Sequence, residues 1–205
     1  MVKILVSHSG GMDSTALLHQ AVARYGKDHV MSIGFEYPSK HNRYELEAAQ
    51  KACEHYGVKR QIIPTGTLMD SFKSDLLKSG GAIPEGHYTD KSMSATVVPC
   101  RNLIFASVLA GLAESFGAEM ISLGIHAGDH AIYPDCRPQF FEALARTINY
   151  ATDFKVAAIA PFLTMNKTQI IANTPDCPWH LTRTCYKDQE AACGKCGSCV
   201  ERLEA

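Results

Sequence analysis

Residues 3–14 read KILVSHSGGMDS, a short apolar run followed by a turn with two adjacent glycines. The run at 3–7 is typical of a strand buried on both faces. A helix is expected at 14–25, where Gly26 ends it. This strand, turn and helix form the first unit of a wound α/β sheet.

The remaining chain repeats that unit. Strands are expected at 30–35, 60–63, 119–123 and 156–160, and helices at 44–56, 68–78, 101–116, 139–150 and 167–173. A polar stretch that follows the short helix expected at 68–78 and runs to Pro99 is long enough to be a lid. Alternating units of this length favour right-handed crossovers. The sequence therefore predicts a Rossmann-like α/β fold with five parallel strands and helices on both faces.

Length and charge narrow the class of protein. The 205 residues are 46% apolar and carry a net charge of −1, which predicts one compact domain and argues against direct binding to nucleic acid. The first residues do not resemble a signal peptide. The longest apolar run, at 103–113, is shorter than the ~20 residues that a bilayer requires. We expect a cytoplasmic protein with no membrane span.

The turn at 9–14 is predicted to hold a phosphate. Gly10 and Gly11 lack a Cβ, so positive φ angles and close ligand approach are open to them. Unpaired amides at the helix start, with the Ser9 and Ser14 hydroxyls, would surround an anion. The alternative is an ordinary turn whose Ser or Asp caps the helix.

Four cysteines near the end of the chain predict a metal site. They have the spacing C-x7-C-x2-C-x2-C and are Cys185, Cys193, Cys196 and Cys199. Four thiolates can close a tetrahedron around a structural Zn²⁺. An iron–sulfur cluster or two disulfides are the alternatives, and a reducing cytosol disfavours the disulfides. The other cysteines are scattered and are expected to be buried thiols or bystanders: Cys53, Cys100, Cys136 and Cys177.

The loop SGGMDS resembles the signature of the PP-loop ATP pyrophosphatases, and the segment from Pro161 to Lys167 is similar to that family's late lysine motif. The resemblance implies that ATP binds with Mg²⁺ and is cleaved between its α and β phosphates. It implies a nucleotide site of Ser7, Ser9, Gly10, Gly11, Met12, Asp13, Ser14, Arg101 and Lys167, with catalytic roles for Ser9, Asp13, Ser14 and Lys167.

Three further segments resemble the 7-cyano-7-deazaguanine synthase family: RNLIF at 101–105, YPDCRPQFF at 133–141 and TCYKDQEAACGKCGSC at 184–199. The resemblance implies that ATP activates the carboxylate of 7-carboxy-7-deazaguanine and that ammonium supplies nitrogen. It also implies a homodimer. Residues 1–180 would form the ATP-binding domain, and residues 181–205 a zinc-binding segment packed on it.

The purine-like substrate needs polar groups that read its edges. The candidates are Arg101, Asn102, Asp129, Tyr133, Asp135 and Arg137. Asp135 is suited to accept from a guanine-type N–H edge, and Arg137 to hold a carboxylate or phosphate. YPDCRP is also ordinary turn chemistry, in which the Asp caps a helix. His87, His126 and His130 are further candidate bases, although loop histidines are usually only solvated.

Departures from the family pattern cluster near the expected substrate. Residues 124–129 read GIHAGD where the family's GVCETD is usual. One alternative is therefore a variant that stops at the amide or joins the activated acid to another amine. Two more are a PP-loop tRNA-modifying ligase, which balanced charge disfavours, and a zinc-tethered nucleotide sensor.

Overall fold

The computed structural model describes residues 1–88 and 90–205. Its centre is one parallel sheet of five strands in the order β3-β2-β1-β4-β5. The strands are β1 Ile4–Ser7, β2 Val30–Glu36, β3 Lys59–Pro64, β4 Met120–Ser122 and β5 Ala157–Ile159. The chain leaves β1 toward β2 and returns on its other side as β4, so the strand order reverses beside β1. Ligands of such sheets bind at this reversal, beyond the carboxyl ends of the strands.

Helices cover both faces of the sheet, as predicted. They are α1 Met12–Tyr25, α2 Asn42–Tyr56, α3 Gly66–Met69, α4 Arg101–Phe116, α5 Pro138–Ala151, α6 Lys167–Asn173 and α7 Gly197–Glu204. Leu5 of β1 packs with α4 and α5 on one face, whereas Ile4 and Val6 pack with α1 on the other. This alternation along one strand confirms that β1 is buried on both sides.

The helix predicted at 68–78 is wrong. Only the single turn of α3 is helical, although Leu76 and Leu77 are fully buried. Ser74 Oγ accepts from Leu76 N, and Asp75 Oδ1 accepts from Gly81 N, so both side chains bond to amides of a loop. Short polar side chains that bond locally in this way compete with helix formation. The apolar spacing in this stretch reflects burial of the loop.

The stretch expected as a lid contacts the cysteine segment. Gly86 N donates to Lys195 O at 2.9 Å, and Glu85 forms an isolated bridge with Cys196. Met93 and Val98 lie in the core. Thr89, which belongs to this stretch, lies outside the described residues. Through these contacts the stretch packs against the cysteine segment, which forms part of the site described below.

Within the described chain, one segment passes a length and hydropathy test for a membrane span. It runs from Lys91 to Phe116 with a mean hydropathy of 1.5. Its backbone is divided, because a 3₁₀ segment ends at Thr96 and α4 begins at Arg101. The 16 residues of α4 extend about 24 Å. The buried face of α4, which includes Phe105, Ala106 and Leu109, packs in the core against the sheet.

Candidate functional site

A cavity lies at the strand-order reversal and collects most of the predicted site residues. Its lining includes Ser7, Ser9, Gly11, Met12, Asp13, Ser14, Arg101, Asn102, Asp129 and Lys167. Ser7 ends β1, and the other residues come from the loops and helix starts that follow β1, β4 and β5 and from the start of α4. Parallel strands carry their following loops to one edge of the sheet, which explains how residues far apart in sequence meet there.

The glycine loop fits tightly against α2. Gly10 has φ +98°, and a Cβ there would overlap Glu45 O and lie 2.7 Å from Ala49 N. Only glycine tolerates both constraints. Gly11, by contrast, has an ordinary φ of −69° and precedes the first residue of α1. Positive φ is therefore needed at one of the two glycines.

The serines of this loop bond to its own backbone. Ser9 Oγ accepts from Gly11 N at 3.2 Å, and Ser14 Oγ lies 3.2 Å from Ser9 Oγ and donates to Gly11 O. The first hydrogen bond of α1 runs from Thr15 N to Gly11 O. Gly10 N also donates to Ser14 Oγ. The amides of Met12, Asp13 and Ser14 in the first turn of α1 are consequently left for a ligand, together with the positive end of the helix dipole.

Lys167 is buried at the loop instead of extending into solvent. It opens α6, where Asn166 and Gln169 form a capping box. Its side chain is 5% exposed, and Nζ lies 3.0 Å from Asp13 Oδ2 and 2.9 Å from Glu201 Oε2. Burial alone would lower the pKa of Lys167, but the Asp13 and Glu201 carboxylates raise it. The ammonium charge is therefore fixed beside the glycine loop.

His126 joins the same group of charges. Its Nε2 lies 3.6 Å from Asp13 Oδ2 and 3.5 Å from Asp129 Oδ2, and its Nδ1 lies 3.1 Å from Gly128 N. Burial lowers the pKa of His126, and the two carboxylates raise it by more. Burial raises the pKa of Asp13, but Lys167 and His126 hold it below its usual range. Asp13 is therefore a carboxylate at neutral pH.

The cavity lining also combines aromatic surfaces with two guanidinium groups. Arg101 Nη1 donates to Tyr37 OH at 3.4 Å, and Arg183 enters from the C-terminal segment. Burial raises the pKa of Glu45 to about 7, although Arg101 and Arg183 oppose the shift. His41 lies 3.5 Å from Glu45, and burial lowers its pKa to about 3. These residues offer cationic N–H donors and a carboxyl group whose pKa is raised to about 7.

Three predicted substrate residues lie outside the cavity lining of the described chain: Tyr133, Asp135 and Arg137. Asp135 Oδ2 accepts from Asn102 N at 2.9 Å, so this carboxylate caps α4. Arg137 is exposed, and its Nε donates to His130 O. Tyr133 OH pairs with Thr96 Oγ1 at 2.9 Å in the interior. Each of these side chains has a hydrogen bond within the fold, and the substrate-binding roles expected for the three residues stay predictions.

The four cysteines of the C-terminal motif come together as expected. Their Sγ atoms all lie within 4.8 Å of one another. Cys185 Sγ accepts from the Cys193 amide, and Cys193 Sγ from the Lys195 and Cys196 amides. Burial raises the pKa of Cys193, but those two amides lower it to about 7. The cluster is therefore suited to hold a metal as thiolates. The other four cysteines lie outside this cluster, where Cys53, Cys136 and Cys177 are buried and Cys100 is exposed.

The cavity also contains residues that sequence reasoning missed. Glu45 and His41 lie at the start of α2, whereas Arg183 and Glu201 flank the cysteine motif. Glu201 belongs to α7, a helix that was not predicted. The only sequence signal for it was an acidic residue two positions after the last cysteine. That signal does not distinguish a site residue from a solvated one.

An α/β sheet with a glycine loop at its strand-order reversal and a buried lysine beside that loop defines a phosphate-binding class of protein. The model of the family described as "Queuosine biosynthesis protein QueC" matches residues 3–205. The chain belongs to this family.

Curated relatives agree with that assignment. A 7-cyano-7-deazaguanine synthase from Desulfotalea psychrophila is 45% identical, with 100% of this chain and 94% of the relative covered. One from Marinobacter nauticus is 44% identical over 98% of this chain and 91% of the relative. One from Caldicellulosiruptor saccharolyticus is 43% identical over 100% of this chain and 90% of the relative.

Solved structures share the fold at low sequence identity. Glutamine-dependent NAD+ synthetase from Acinetobacter baumannii, solved with ADP, has a TM-score of 0.53 and 18% identity, covering 88% of this chain and 31% of that chain. NMN synthetase from Francisella tularensis has a TM-score of 0.52 and 13% identity, covering 94% and 70%. These similarities confirm the predicted fold class.

Proposed function

We propose that the chain is an ATP-dependent ligase that converts 7-carboxy-7-deazaguanine and ammonia to 7-cyano-7-deazaguanine. Family membership and the names of the relatives support this reaction and do not favour the alternatives. The observation that carries the proposal is the pairing of Lys167, 5% exposed, with Asp13 of the glycine loop. A buried ammonium beside unpaired helix amides is suited to the phosphates of ATP.

The residues of the glycine loop and Lys167 would have different roles in binding the nucleotide. The amides at the start of α1, with Ser9 and Ser14, would hold the phosphates, and Lys167 would neutralise charge that develops on them. Asp13 Oδ1 is buried without a hydrogen-bond partner among the described residues. That oxygen fits Mg²⁺, a cation that prefers oxygen ligands and would screen the phosphate charges. Arg101, which lines the same cavity, would contact the nucleotide or the substrate acid.

The reaction needs two activations. A carboxylate oxygen attacks the α phosphorus of ATP and releases pyrophosphate, giving a mixed anhydride. Ammonia then displaces AMP and forms the amide. The amide oxygen attacks the α phosphorus of a second ATP and releases a second pyrophosphate, and loss of AMP and two protons then leaves the nitrile. The residues that bind phosphate stabilise negative charge at both phosphorus centres.

The part of the cavity that is lined by Arg183 and Glu45 would receive the deazaguanine. Arg183 Nε is buried without a hydrogen-bond partner among the described residues and can donate to an anionic or carbonyl oxygen. Glu45, with its pKa near 7, can accept from N–H groups of a guanine-type edge when it is ionised. Asn102 and Asp129 line the adjoining wall. Binding of small-molecule substrates would give each of these polar groups a partner.

We further propose Zn²⁺ as the metal of the cysteine cluster. Thiolates around one Zn²⁺ lie about 3.8 Å apart, given a Zn–S distance of about 2.3 Å, and Sγ atoms within 4.8 Å of one another fit that size. Ligands that surround an iron–sulfur cluster lie farther apart. Residues 181–205 would thus be a zinc-binding segment on an ATP-binding domain of residues 1–180. Arg183 N donates to Gly10 O at 2.8 Å, a direct contact between the two parts.

We also propose that the protein is a cytoplasmic homodimer that does not contact nucleic acid directly. Leu103 and Phe116 of α4 are each 40% exposed, and Tyr150 and Phe154 are more exposed still. Burial of such side chains between two copies would stabilise a dimer. Light scattering of the purified protein would give twice the chain mass, whereas a single chain mass would contradict the dimer.

Mass spectrometry of the product tests the function directly. The enzyme is incubated with 7-carboxy-7-deazaguanine, ATP, Mg²⁺ and ammonium, and the expected product is the nitrile with two AMP per molecule. An accumulating amide would support the truncated reaction instead. Unchanged substrate with no AMP release would contradict both and leave a nucleotide-binding protein.

A further inference from the structure

Glu201 is a charged residue of the cavity to which neither the family resemblance nor the reaction outlined above gives a role. It lies in α7, which begins directly after Cys196 and contains Cys199 in its first turn. Its side chain is 14% exposed, and Oε2 lies 2.9 Å from Lys167 Nζ. A helix anchored at its start by two metal-binding cysteines therefore carries this carboxylate to the ammonium.

The second oxygen of Glu201 lies close to the backbone of Gly128. A Cβ on Gly128 would overlap Glu201 Oε1, so the absence of a side chain at Gly128 makes room for the carboxylate. Arg202, the next residue, donates to Thr182 Oγ1 and Thr184 Oγ1, each at 2.8 Å, and to Trp179 O. These contacts hold α7 against the preceding segment and leave Glu201 little freedom to move.

Lys167 is thus held between two carboxylates from opposite walls. Asp13 belongs to the glycine loop, which is proposed to bind phosphate and Mg²⁺. When these ligands are bound, the Asp13 carboxylate is shared between them and Lys167. Glu201 lies outside that loop. It can keep the lysine in place while Asp13 engages the nucleotide.

We propose that Glu201 is a positioning residue that holds the Lys167 ammonium at the phosphate site during catalysis. The proposal rests on the function proposed above. A carboxylate near a triphosphate also repels it, so its removal should not weaken ATP binding. Loss of positioning should instead appear in the rate of the chemical step.

The test compares Glu201→Gln with the matched variant Glu204→Gln on the same helix, where Glu204 is 58% exposed. We expect Glu201→Gln to lower kcat for AMP formation roughly tenfold, with KM for ATP unchanged or lower. Glu204→Gln should change kcat less than twofold. Glu201→Asp, which keeps the charge, should recover part of the rate. An unchanged kcat, or a higher KM with kcat intact, would overturn the proposal.

A double-mutant cycle shows whether Glu201 acts through Lys167. In a Lys167→Met background, Glu201→Gln should change the residual rate less than twofold. The same four proteins are compared by urea unfolding without nucleotide, where the two substitutions should be less than additive. Additive effects would overturn the positioning role even if the enzyme had no ligase activity. Conversely, a coupled pair in a protein without ligase activity would contradict only the proposed function.

Discussion

Lys167 Nζ lies 3.0 Å from Asp13 Oδ2, a contact that joins the first residue of α6 to the second residue of α1 across 154 positions of sequence. The two helices follow β5 and β1, which are separated in the sheet by β4 alone. Sheet topology therefore assembles the charged centre of the site from the two ends of the nucleotide-binding fold.

Substitution of Lys167→Met should remove the cation that faces the phosphates. We expect the rate of AMP formation to fall by roughly 10²-fold, the usual cost of losing one electrostatic contact in a transition state. The matched control is Lys155→Met, since Lys155 is 62% exposed and pairs with Glu114 on the surface. Equal rates for both variants in a quenched AMP assay would contradict the assigned role of Lys167.

The tight contact between the glycine loop and α2 predicts an effect of Gly10→Ala. The new methyl group would meet the α2 backbone and would also sit at a positive φ, so the loop must shift. We expect MgATP affinity to fall at least about tenfold in calorimetry. Gly111→Ala is the matched control, because a Cβ there meets nothing within 4 Å and alanine favours the helix. ATP binding by Gly10→Ala as tight as in the wild type would show that loop geometry does not matter.

Loss of one thiol should release the metal. Cys193→Ser is expected to lower the zinc content measured by mass spectrometry and to reduce the free energy of unfolding on the order of several kcal/mol. Cys100→Ser serves as the control, because Cys100 is exposed and lies outside the cluster. Zinc retained at one ion per chain in Cys193→Ser, with unchanged stability, would argue against the cluster as its site.

Acid should destabilise the protein through His8. His8 is 1% exposed, and burial followed by repulsion from Arg60 lowers its pKa to about 3, below the usual value of 6.5. Between those values the unfolded chain binds a proton that the folded chain does not, so stability falls as pH drops through this range. His8→Gln should remove this loss, and the stability difference from wild type should change by about 1.4 kcal/mol per pH unit between about pH 6 and 4. Parallel pH profiles in urea unfolding would show that His8 is not buried as a neutral ring.

Local sequence patterns were sufficient to predict the sheet and the glycine loop. The buried run before Ser9 and the two glycines determine a strand and a turn within a few residues, and crossover rules then fix the parallel sheet. The spacing of the four cysteines likewise placed them in one cluster. Each of these features depends on residues that are close in sequence.

Features that depend on distant contacts could not be predicted in the same way. Asp135 has the sequence context of a ligand group, yet it caps α4 from 33 positions away. Glu201 and Arg183 enter the cavity because the cysteine segment folds back onto the glycine loop. Their side chains acquire a role only through tertiary packing, which local propensity does not contain.

The central claim, that the carboxylate is adenylated, is tested most directly with substrate carrying ¹⁸O in both carboxylate oxygens. Each activation moves one of these oxygens onto the α phosphorus, so both labels should appear in AMP, one per molecule, and none in the nitrile. Label found in inorganic phosphate with ADP as the by-product would contradict adenylation and show attack at the γ phosphorus.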